Sequence, residues 1–414
     1  PVTRAHIPSA NRRPAIPRTV WALGLVSLFM DVSSEMIHAL LPLFLTATLG
    51  ASVVVVGVIE GIAESTAALA KVFSGYLSDR IGRRKPLILI GYGLGAASKP
   101  FFALAGAPFM VFAARFADRI GKGIRGAPRD ALIADVTPEA VRGRAYGLRQ
   151  ALDTAGAFIG PLLAIALMAA FDDNMRAVFW FALIPGAFAV LLVVVGVEDR
   201  AAGAEKSSGT PIRLVDLRRL GPSFWSIVAI GILFTLARFS EAFLVLKAYD
   251  EGLPLALAPL VLVAMNTVYS LGAYPAGVWS DKASPAVLFL CGLAALGAAD
   301  LVLAIAPGLW GAFLGIGLWG AHLALTQGLL AKLVAEHAPQ ELRGSAFGLF
   351  NLATGVAMLV ASVAAGFLWD GIGPFATFIA GACLVAAAGI LVAGFMLLGR
   401  MKRRKPAQSR RQGG

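Results

Sequence analysis

Acidic and basic side chains recur at helical spacing inside apolar stretches of this sequence. Asp31, Glu35 and His38 stand at i, i+4 and i+7 in the first such stretch, which places all three on one face of a helix. Carboxylates and an imidazole on one face can carry protons or contact a polar solute. Similar spacing brings together further charged residues in the second, fourth and fifth stretches: Glu60 with Glu64, Arg115 with Arg119, and Arg149 with Asp153.

Each of these charges would cost at least about 2.5 kcal/mol if it stood alone at the centre of a bilayer. We therefore expect the acids and bases to pair. In the functional interpretation, Asp31 and Glu35 carry protons and contact substrate, and Arg115, Arg119 or Arg149 sets their proton affinity by electrostatic attraction. The alternative is a fixed ion-pair network that holds the four stretches together, and the sequence leaves it open.

The C-terminal half offers fewer charges and more neutral polar groups. Arg238 and Glu241 stand at i and i+3, and this spacing predicts a local ion pair. The other candidate cavity residues of this half are Asn266, Tyr274, His322, Gln327 and Asn351. We expect the N-terminal half to couple ions and the C-terminal half to shape specificity, although polar residues in apolar helices also serve helix packing.

The face formed by Asp31, Glu35 and His38, with His322 as a fourth ligand, would also suit a divalent transition metal. A metal or metal-chelate carrier is therefore an alternative. Because no Cys or Met cluster accompanies these residues, we expect neither a bound metal nor a cofactor. The Gly-rich stretch 121–128 is not preceded by a strand, and no nucleophile motif is present. We therefore expect neither an ATP-driven pump nor an enzyme.

The elements that carry these residues must be membrane helices. The 414 residues are 58% hydrophobic and only 14% charged, with a mean hydropathy of +0.77, whereas soluble domains average roughly 25% charged residues. Apolar runs of about 20 residues are long enough to cross a bilayer as helices. The sequence predicts twelve spans, at 21–47, 53–77, 86–106, 108–134, 145–170, 176–196, 224–248, 256–279, 285–306, 309–335, 345–369 and 374–398.

The positions of the basic residues predict the orientation. The chain has 36 Lys and Arg residues and a net charge of +12; 24 of the 36 fall in the tails and even-numbered loops, and Arg176 alone falls in the opposite loops. Positive residues collect on the cytoplasmic side. Both termini are therefore expected in the cytoplasm, with the chain a monomer in the inner (plasma) membrane. This topology also explains the basic charge without nucleic acid as a partner.

An internal repeat divides the chain into two halves. Residues 137–148 (TPEAVRGRAYGL) match residues 338–349 (APQELRGSAFGL) at six of twelve positions, and GYLSDR at 75–80 is repeated as GVWSDK at 277–282. The sequence predicts an all-α membrane protein with a tail (1–20), a six-helix bundle (21–197), a cytoplasmic linker (198–221), a second six-helix bundle (222–398) and a basic tail (399–414). Parallel repeats of this kind place a substrate between the halves near the midplane of the membrane.

The loop after the second span resembles the loop signature of the major facilitator superfamily, and this resemblance implies a twelve-helix secondary transporter. Its signature residues are Gly75, Asp79, Arg80, Gly82, Arg83 and Arg84, with second-copy counterparts Gly277, Asp281 and Lys282. Arg115 and Asp135 in and after span 4 resemble a second motif of that family, although Asp118 and Arg119 depart from it. In span 5, Gly156, Gly160 and Pro161 resemble the antiporter motif.

The resemblance implies that the loop signature latches the two halves in the outward-facing state; simple anchoring by positive charge is the alternative. It further implies a transporter that moves a small organic or ionic solute by rocker-switch alternating access, coupled to protons, with export favoured by the span 5 motif. The expected partners are the small-molecule or ion substrate, protons and the lipid bilayer. A transport-inactive receptor or membrane scaffold with the same fold remains a further alternative.

Overall fold

Twelve long helices form the chain in the computed structural model, which describes residues 15–198, 220–280, 284–338 and 342–404. The first half contains α1 (Arg18–His38), α2 (Val53–Ile81), α3 (Lys85–Leu104), α4 (Pro108–Val136), α5 (Arg142–Ala170) and α6 (Met175–Gly196). The second half contains α7 (Pro222–Ala237), α8 (Leu260–Ser280), α9 (Pro285–Ile305), α10 (Gly308–His337), α11 (Arg343–Gly371) and α12 (Pro374–Arg404). The predicted all-α fold of twelve spans is confirmed, with helix ends that differ by a few residues. Most of the linker and both chain ends lie outside the described ranges.

Helix α4 differs from the other spans in composition. Within the described ranges, the other eleven spans are long and apolar enough to cross a membrane. Five charged residues of α4 are buried in the protein: Arg115, Asp118, Arg119, Arg125 and Arg129. Because α4 packs against α2 and α3, these charges contact protein rather than lipid, where they would be costly.

Two of the spans are interrupted, whereas the sequence predicted them as continuous. After α1 the chain makes a turn and continues as Leu41–Leu43 and a π-helix, Phe44–Thr48. After α7 the chain leaves helical geometry at Arg238, and a short helix follows at Ala242–Asp250. The segment Leu41–Leu43 packs against Ala242–Asp250. The two interruptions therefore meet across the halves.

A contact with α11 supports the interruption of α7. Ser240 N donates a hydrogen bond to Ser362 Oγ of α11 at 3.2 Å, and Ser240 Oγ accepts one from Ala242 N at 3.2 Å. Non-helical backbone inside a membrane is stable only where such partners replace the missing helical bonds. The bond to Ser362 spans 122 positions of sequence, so a local pattern does not reveal it.

The apolar core is continuous between the halves on one side of the molecule and divided on the other. We call the end at which α1 begins and α12 ends the terminal face, and the other end the opposite face. One cluster of buried side chains includes Phe179 of the first half and Phe243 of the second. Two smaller clusters near the terminal face stay within one half each, around Val20 and Val193 and around Phe224. A crevice therefore separates the halves toward the terminal face.

Close backbone contact closes the opposite face. Helix α2 packs along α11, and α5 along α8. A Cβ atom added at Gly57 of α2 would lie 2.2 Å from Ser362 O of α11, and one added at Gly366 of α11 would lie 2.7 Å from Val54 Cα of α2. Only glycine permits an approach of this kind.

An acidic residue completes this closed contact. Asp370 at the end of α11 accepts hydrogen bonds from the first two amide groups of α2, at 3.1 Å from Val53 N and 2.8 Å from Val54 N. These amides have no partner inside α2, because the first N–H groups of a helix precede its first turn. The carboxylate therefore caps a helix of the other half.

Candidate functional site

A cavity of about 520 Å³ lies between the halves, on the terminal-face side of the closed contact. Its first-half wall comes from α1, α2, α4 and α5 and carries nine charged residues: Asp31, Glu35, Glu64, Lys71, Lys122, Arg125, Arg129, Arg149 and Asp153. Its second-half wall comes from α8 and α11 and carries only neutral polar residues: Asn266, Tyr269, Ser270 and Asn351. The charged groups of the cavity thus come from the first half, and the neutral polar groups of the second-half wall lie opposite them.

Seven residues predicted from the sequence line this cavity: Asp31, Glu35, Glu64, Arg149, Asp153, Asn266 and Asn351. His38, Glu60, Arg115 and Arg119 lie behind its wall, in contact with the lining residues or with one another. The side chain of Gln327 lies outside the described part of the structure. The cavity also includes Lys71, Lys122, Arg125 and Arg129, which were assigned to no substrate contact from the sequence.

Asp31 and Asp153 meet at the junction of α1 and α5. Their carboxyl groups are within hydrogen-bonding reach of each other, and Arg149 Nη2 donates to both carboxylate oxygens of Asp153 at 3.4 Å. Lys122 of α4 lines the same cavity and interacts with both acids electrostatically. Two carboxylates in such contact form a hydrogen bond only when they share a proton.

The glycines of the span 5 motif permit this contact. A Cβ atom added at Gly156 would lie 2.5 Å from Leu28 O and 3.0 Å from Asp31 Cβ, and one added at Gly160 would lie 2.9 Å from Glu35 Cβ. Helix α5 therefore packs directly against the part of α1 that carries Asp31 and Glu35. Both glycines and Pro161 are buried in this contact.

His38 connects two acids behind the cavity wall. Its Nδ1 lies 3.3 Å from Glu35 Oε2, and its Nε2 lies 3.7 Å from Glu60 Oε2. Arg115 Nη2 donates to the same Glu60 oxygen at 2.8 Å, and both side chains of this pair are only 2% exposed. The chain of contacts thus runs from the cavity residue Glu35 into the buried interface of α2 and α4.

A second buried network joins α2, α3 and α4. Asp118 accepts a hydrogen bond from Lys99 Nζ at 2.9 Å and pairs with Arg119 Nη2 at 3.3 Å. Arg119 also donates to Glu64 Oε1 at 3.3 Å. Lys99 makes a further bond to Ser34 Oγ of α1 at 3.0 Å. Asp118 and Arg119, which depart from the family pattern, are therefore structural partners.

The pairing of the arginines differs from the prediction. Arg115, Arg119 or Arg149 was expected to act on Asp31 and Glu35. In the structure Arg115 forms an ion pair with Glu60, Arg119 with Glu64 and Asp118, and Arg149 with Asp153. For Arg115 and Arg119 the reason is helix order, because α2 lies beside α4 and carries Glu60 and Glu64. Lys122 of α4 reaches both Asp31 and Glu35 electrostatically, while Arg119 also reaches Glu35 and Arg125 also reaches Asp31.

The predicted pair between Arg238 and Glu241 does not form. Both residues lie in the interruption after α7, where helical i, i+3 geometry is absent, and among the described residues no ion pair within 4.0 Å joins them. Glu241 still interacts electrostatically with Arg238, and it also interacts with His38 and Glu35 of α1. The interruption therefore turns this acid toward the other half.

The structure does not assemble the proposed metal site. His322 is fully buried and packs against Trp319 and Phe234, while Asp31 contacts Asp153 and His38 contacts Glu35. In the part of the chain that the structure covers, no group of three or more His, Cys, Asp or Glu residues could hold a metal ion.

Two other predicted regions lie away from the cavity or outside the described residues. Tyr274 is 81% exposed, on the surface of α8. Asp281 and Lys282 lie outside the described residues, as does the side chain of Asp79. Gly277 is part of α8 but does not line the cavity.

The first-half loop signature forms a compact turn at the terminal face. Gly82 ends α2 with a φ of 68°, a left-handed conformation that favours glycine. Arg84 donates to Asp135 Oδ2 at 3.2 Å and to Ser78 Oγ at 2.6 Å, which ties the loop to the end of α4. Gly75 packs near Ala127 of α4, and Arg80 and Arg83 are exposed.

The architecture and sequence both match known transporters. The sequence profile of the major facilitator superfamily matches residues 23–268 and 242–413. An uncharacterized MFS-type transporter of Methanocaldococcus jannaschii is 29% identical over 383 residues, covering 91% of this chain and 94% of the relative. The inner membrane transport protein YajR of Escherichia coli is 27% identical, covering 92% and 84%. A crystal structure of a POT family transporter in complex with a thioalcohol-conjugated peptide superposes with a TM-score of 0.79 at 13% identity, over 92% of this chain and 96% of that one. This chain belongs to the major facilitator superfamily and is a multi-pass membrane transporter.

Proposed function

We propose that this protein is a secondary active transporter that exports a small organic or ionic solute in exchange for protons, by alternating access. The observation that carries the proposal is the contact between Asp31 and Asp153 inside a cavity that opens toward one face. A shared proton at this contact would couple the charge state of the cavity to the arrangement of the two halves.

Proton release would change the forces between the helices. Once the shared proton leaves, two adjacent carboxylates repel each other and attract Lys122 and Arg149 more strongly. Because α1 and α5 are in backbone contact at Gly156, repulsion at Asp31 acts directly on the packing of these helices. A solute whose hydrogen-bond donors contact these carboxylates would compete with the proton, as antiport requires. In this proposal Asp31 carries the proton, and Glu35 contacts solute through its cavity-facing position.

Alternating access requires that the contacts that close one face break and that contacts closing the other face form. In the present state α2 and α11 seal the opposite face, and the apolar cores separate toward the terminal face. In the alternate state, the loop signature with Asp79, Arg80, Arg83 and Arg84 would close the terminal face. The distribution of basic residues supports a cytoplasmic location for the terminal face in the inner membrane, and in this proposal the present state is open to the cytoplasm. We infer that a monomer carries out this cycle, because the cavity lies within one chain.

The test uses purified full-length protein in proteoliposomes with an imposed pH gradient and a trapped pH-sensitive dye. A panel of solutes is added, and solute-dependent proton flux identifies the substrate. Asp31→Asn removes the shared proton site while it conserves shape, and we expect solute flux that no longer responds to the pH gradient. Glu139→Gln, which changes an exposed acid outside the cavity, serves as the matched control and retains coupling.

Two results would overturn this proposal. Unchanged proton dependence in Asp31→Asn would make Asp31 a structural residue. The absence of any solute or proton flux, with intact folded protein that binds a partner, would favour the transport-inactive receptor instead.

A further inference from the structure

The composition of the cavity wall restricts the solute. Pockets for lipophilic ligands are lined predominantly by apolar and aromatic side chains. The side chains that line this cavity include only three alanines and Tyr269 besides polar, charged and glycine residues. Leu, Ile, Val, Met, Phe and Trp are absent from this lining. A lipophilic solute would therefore gain little from burial here and would displace water from nine charged groups.

The charges of the wall do not cancel in pairs. Five bases and four acids line the cavity. Of the acids, Glu35 contacts His38, Glu64 contacts Arg119 and Asp153 contacts Arg149. Among the described residues, no ion pair within 4.0 Å involves Lys71 or Lys122, and both are exposed to the cavity. Two ammonium groups thus remain available for a ligand.

The packing of α2 against α4 brings these two lysines together. Gly123 of α4 lies so close to α2 that an added Cβ would stand 2.4 Å from Ala70 Cβ. The stem of Lys71 crosses Gly126, with Cδ and Cε 3.7 Å from the position of an added Cβ. Lys122 and Gly126 are four residues apart and lie on the same face of α4. The stem of Lys71 therefore crosses α4 about one helical turn from Lys122, and both side chains line the cavity.

We propose that the solute is a hydrophilic organic anion whose phosphate or carboxylate group binds Lys71 and Lys122. Ammonium groups bind such oxyanions through charge-assisted hydrogen bonds. The neutral part of the solute extends to the other wall, where Asn266, Tyr269, Ser270 and Asn351 offer hydrogen bonds. This inference rests on the transport function proposed above, for which it names the substrate class.

The test is a binding measurement that does not depend on transport. Full-length protein in a neutral detergent is titrated with three anions, glucose 6-phosphate, citrate and glutamate, and its thermal unfolding is followed. Glucose and tetraphenylphosphonium are the neutral and the lipophilic cationic comparisons. Dihexanoyl phosphatidylglycerol tests whether a lipid headgroup is the anion instead. A ligand that binds only the folded state raises the unfolding temperature, and the stabilisation grows as the logarithm of one plus the ratio of the ligand concentration to Kd.

We expect at least one of the three soluble anions to stabilise the protein and glucose and tetraphenylphosphonium to leave it unchanged. Lys71→Gln with Lys122→Gln should weaken anion binding at least 10-fold, and Lys71→Arg with Lys122→Arg should restore most of it. Arg144→Gln, which removes an exposed positive charge outside the cavity, should have no effect. Binding should also weaken as NaCl is raised, because salt screens exposed charges.

Three outcomes would overturn the inference: none of the three soluble anions stabilises the protein, the double Gln variant binds them as tightly as the parent, or only the phosphatidylglycerol stabilises. These outcomes are separate from failure of transport. Proton-coupled flux of tetraphenylphosphonium would refute the substrate class and leave the transporter intact. Lysine-dependent anion binding without any flux would refute transport and leave the anion site.

Discussion

Asp370→Ala should shift the protein toward the state that is open at the opposite face. The carboxylate of Asp370 caps α2 across the two halves, with bonds to Val53 N and Val54 N. Loss of a helix N-cap costs about 0.5–2 kcal/mol, and loss of a negative charge at a helix N-terminus costs about 0.3–1 kcal/mol. Because Asp370 is exposed to solvent, the lower part of these ranges applies, and we expect about 1 kcal/mol. That energy corresponds to about a fivefold change in the ratio of the two states.

The assay is the labelling rate of an introduced cysteine by a membrane-impermeant maleimide. Val56→Cys places the thiol on α2, at a position that is fully buried beside the closed contact, after replacement of Cys291 and Cys383 by alanine. We expect Asp370→Ala to raise this labelling rate about fivefold. A cysteine in place of Thr154, which lines the cavity, should react more slowly in Asp370→Ala, because fewer molecules are then in the state that is open at the terminal face.

A matched control is Asp250→Ala, because Asp250 is an exposed acid at the end of the short helix after α7 and makes no cap to the other half. It should leave both rates unchanged. Equal labelling of Val56→Cys in the parent and in Asp370→Ala would refute the reasoning, because the cap would then contribute nothing to the closure of this face.

Two further predictions concern stability. Arg115→Met removes the guanidinium from buried Glu60 and leaves it only His38, at 3.7 Å. The free energy of unfolding should therefore fall by up to about 3–5 kcal/mol. Arg115→Met with Glu60→Gln should recover part of that loss, and equal thermal stability of the single variant and the parent would contradict the pairing. Hydrogen bonds from Lys247 and from Gly308 N hold the pKa of the Glu251 carboxyl below its ordinary value. A lowered pKa stabilises the fold above the ordinary range of Glu, near pH 4.3, so this contribution is present at neutral pH and is lost as the pH falls below that range. Glu251→Gln should therefore lower the unfolding temperature at pH 7 and match the parent at acidic pH; an equal difference at both pH values would contradict it.

Hydropathy predicted the positions of the helices because a bilayer imposes length and polarity on each span separately. Even α4, which is too charged to be recognised as a span by composition alone, was among the predicted spans, because its charges can face protein or a water-filled cavity. The interruptions after α1 and α7 could not be predicted in this way. At Ser240 the backbone depends on Ser362 of α11, and hydrophobicity continues through the break, as in the buried run Phe243 to Leu246.

The sequence predicted many of the residues that line the cavity, but it predicted few of the ion pairs that they form. Helical spacing grouped Asp31 with Glu35 correctly on the cavity side of α1. The partner of Arg115 could not be derived, because the choice between Glu60 and Glu35 depends on which helix packs against α4. Helical spacing also groups Lys122 with Arg115 and Arg119, and Lys122 was expected to have a structural role at the gate because it lies toward the cytoplasmic end of α4. Lys122 lines the crevice, whereas Arg115 and Arg119 are buried. This difference depends on where the crevice lies, which helical spacing does not give.

The glycine contact between α2 and α11 has a consequence for the rate of the transport cycle. At Gly57 and Gly366 the two helices meet through backbone atoms, with no interlocking side chains at these points. Surfaces of this kind can separate and rejoin without rotamer changes, so little activation energy arises from repacking. The speed of turnover should then depend on how long the solute and the proton remain bound rather than on the parting of the helices.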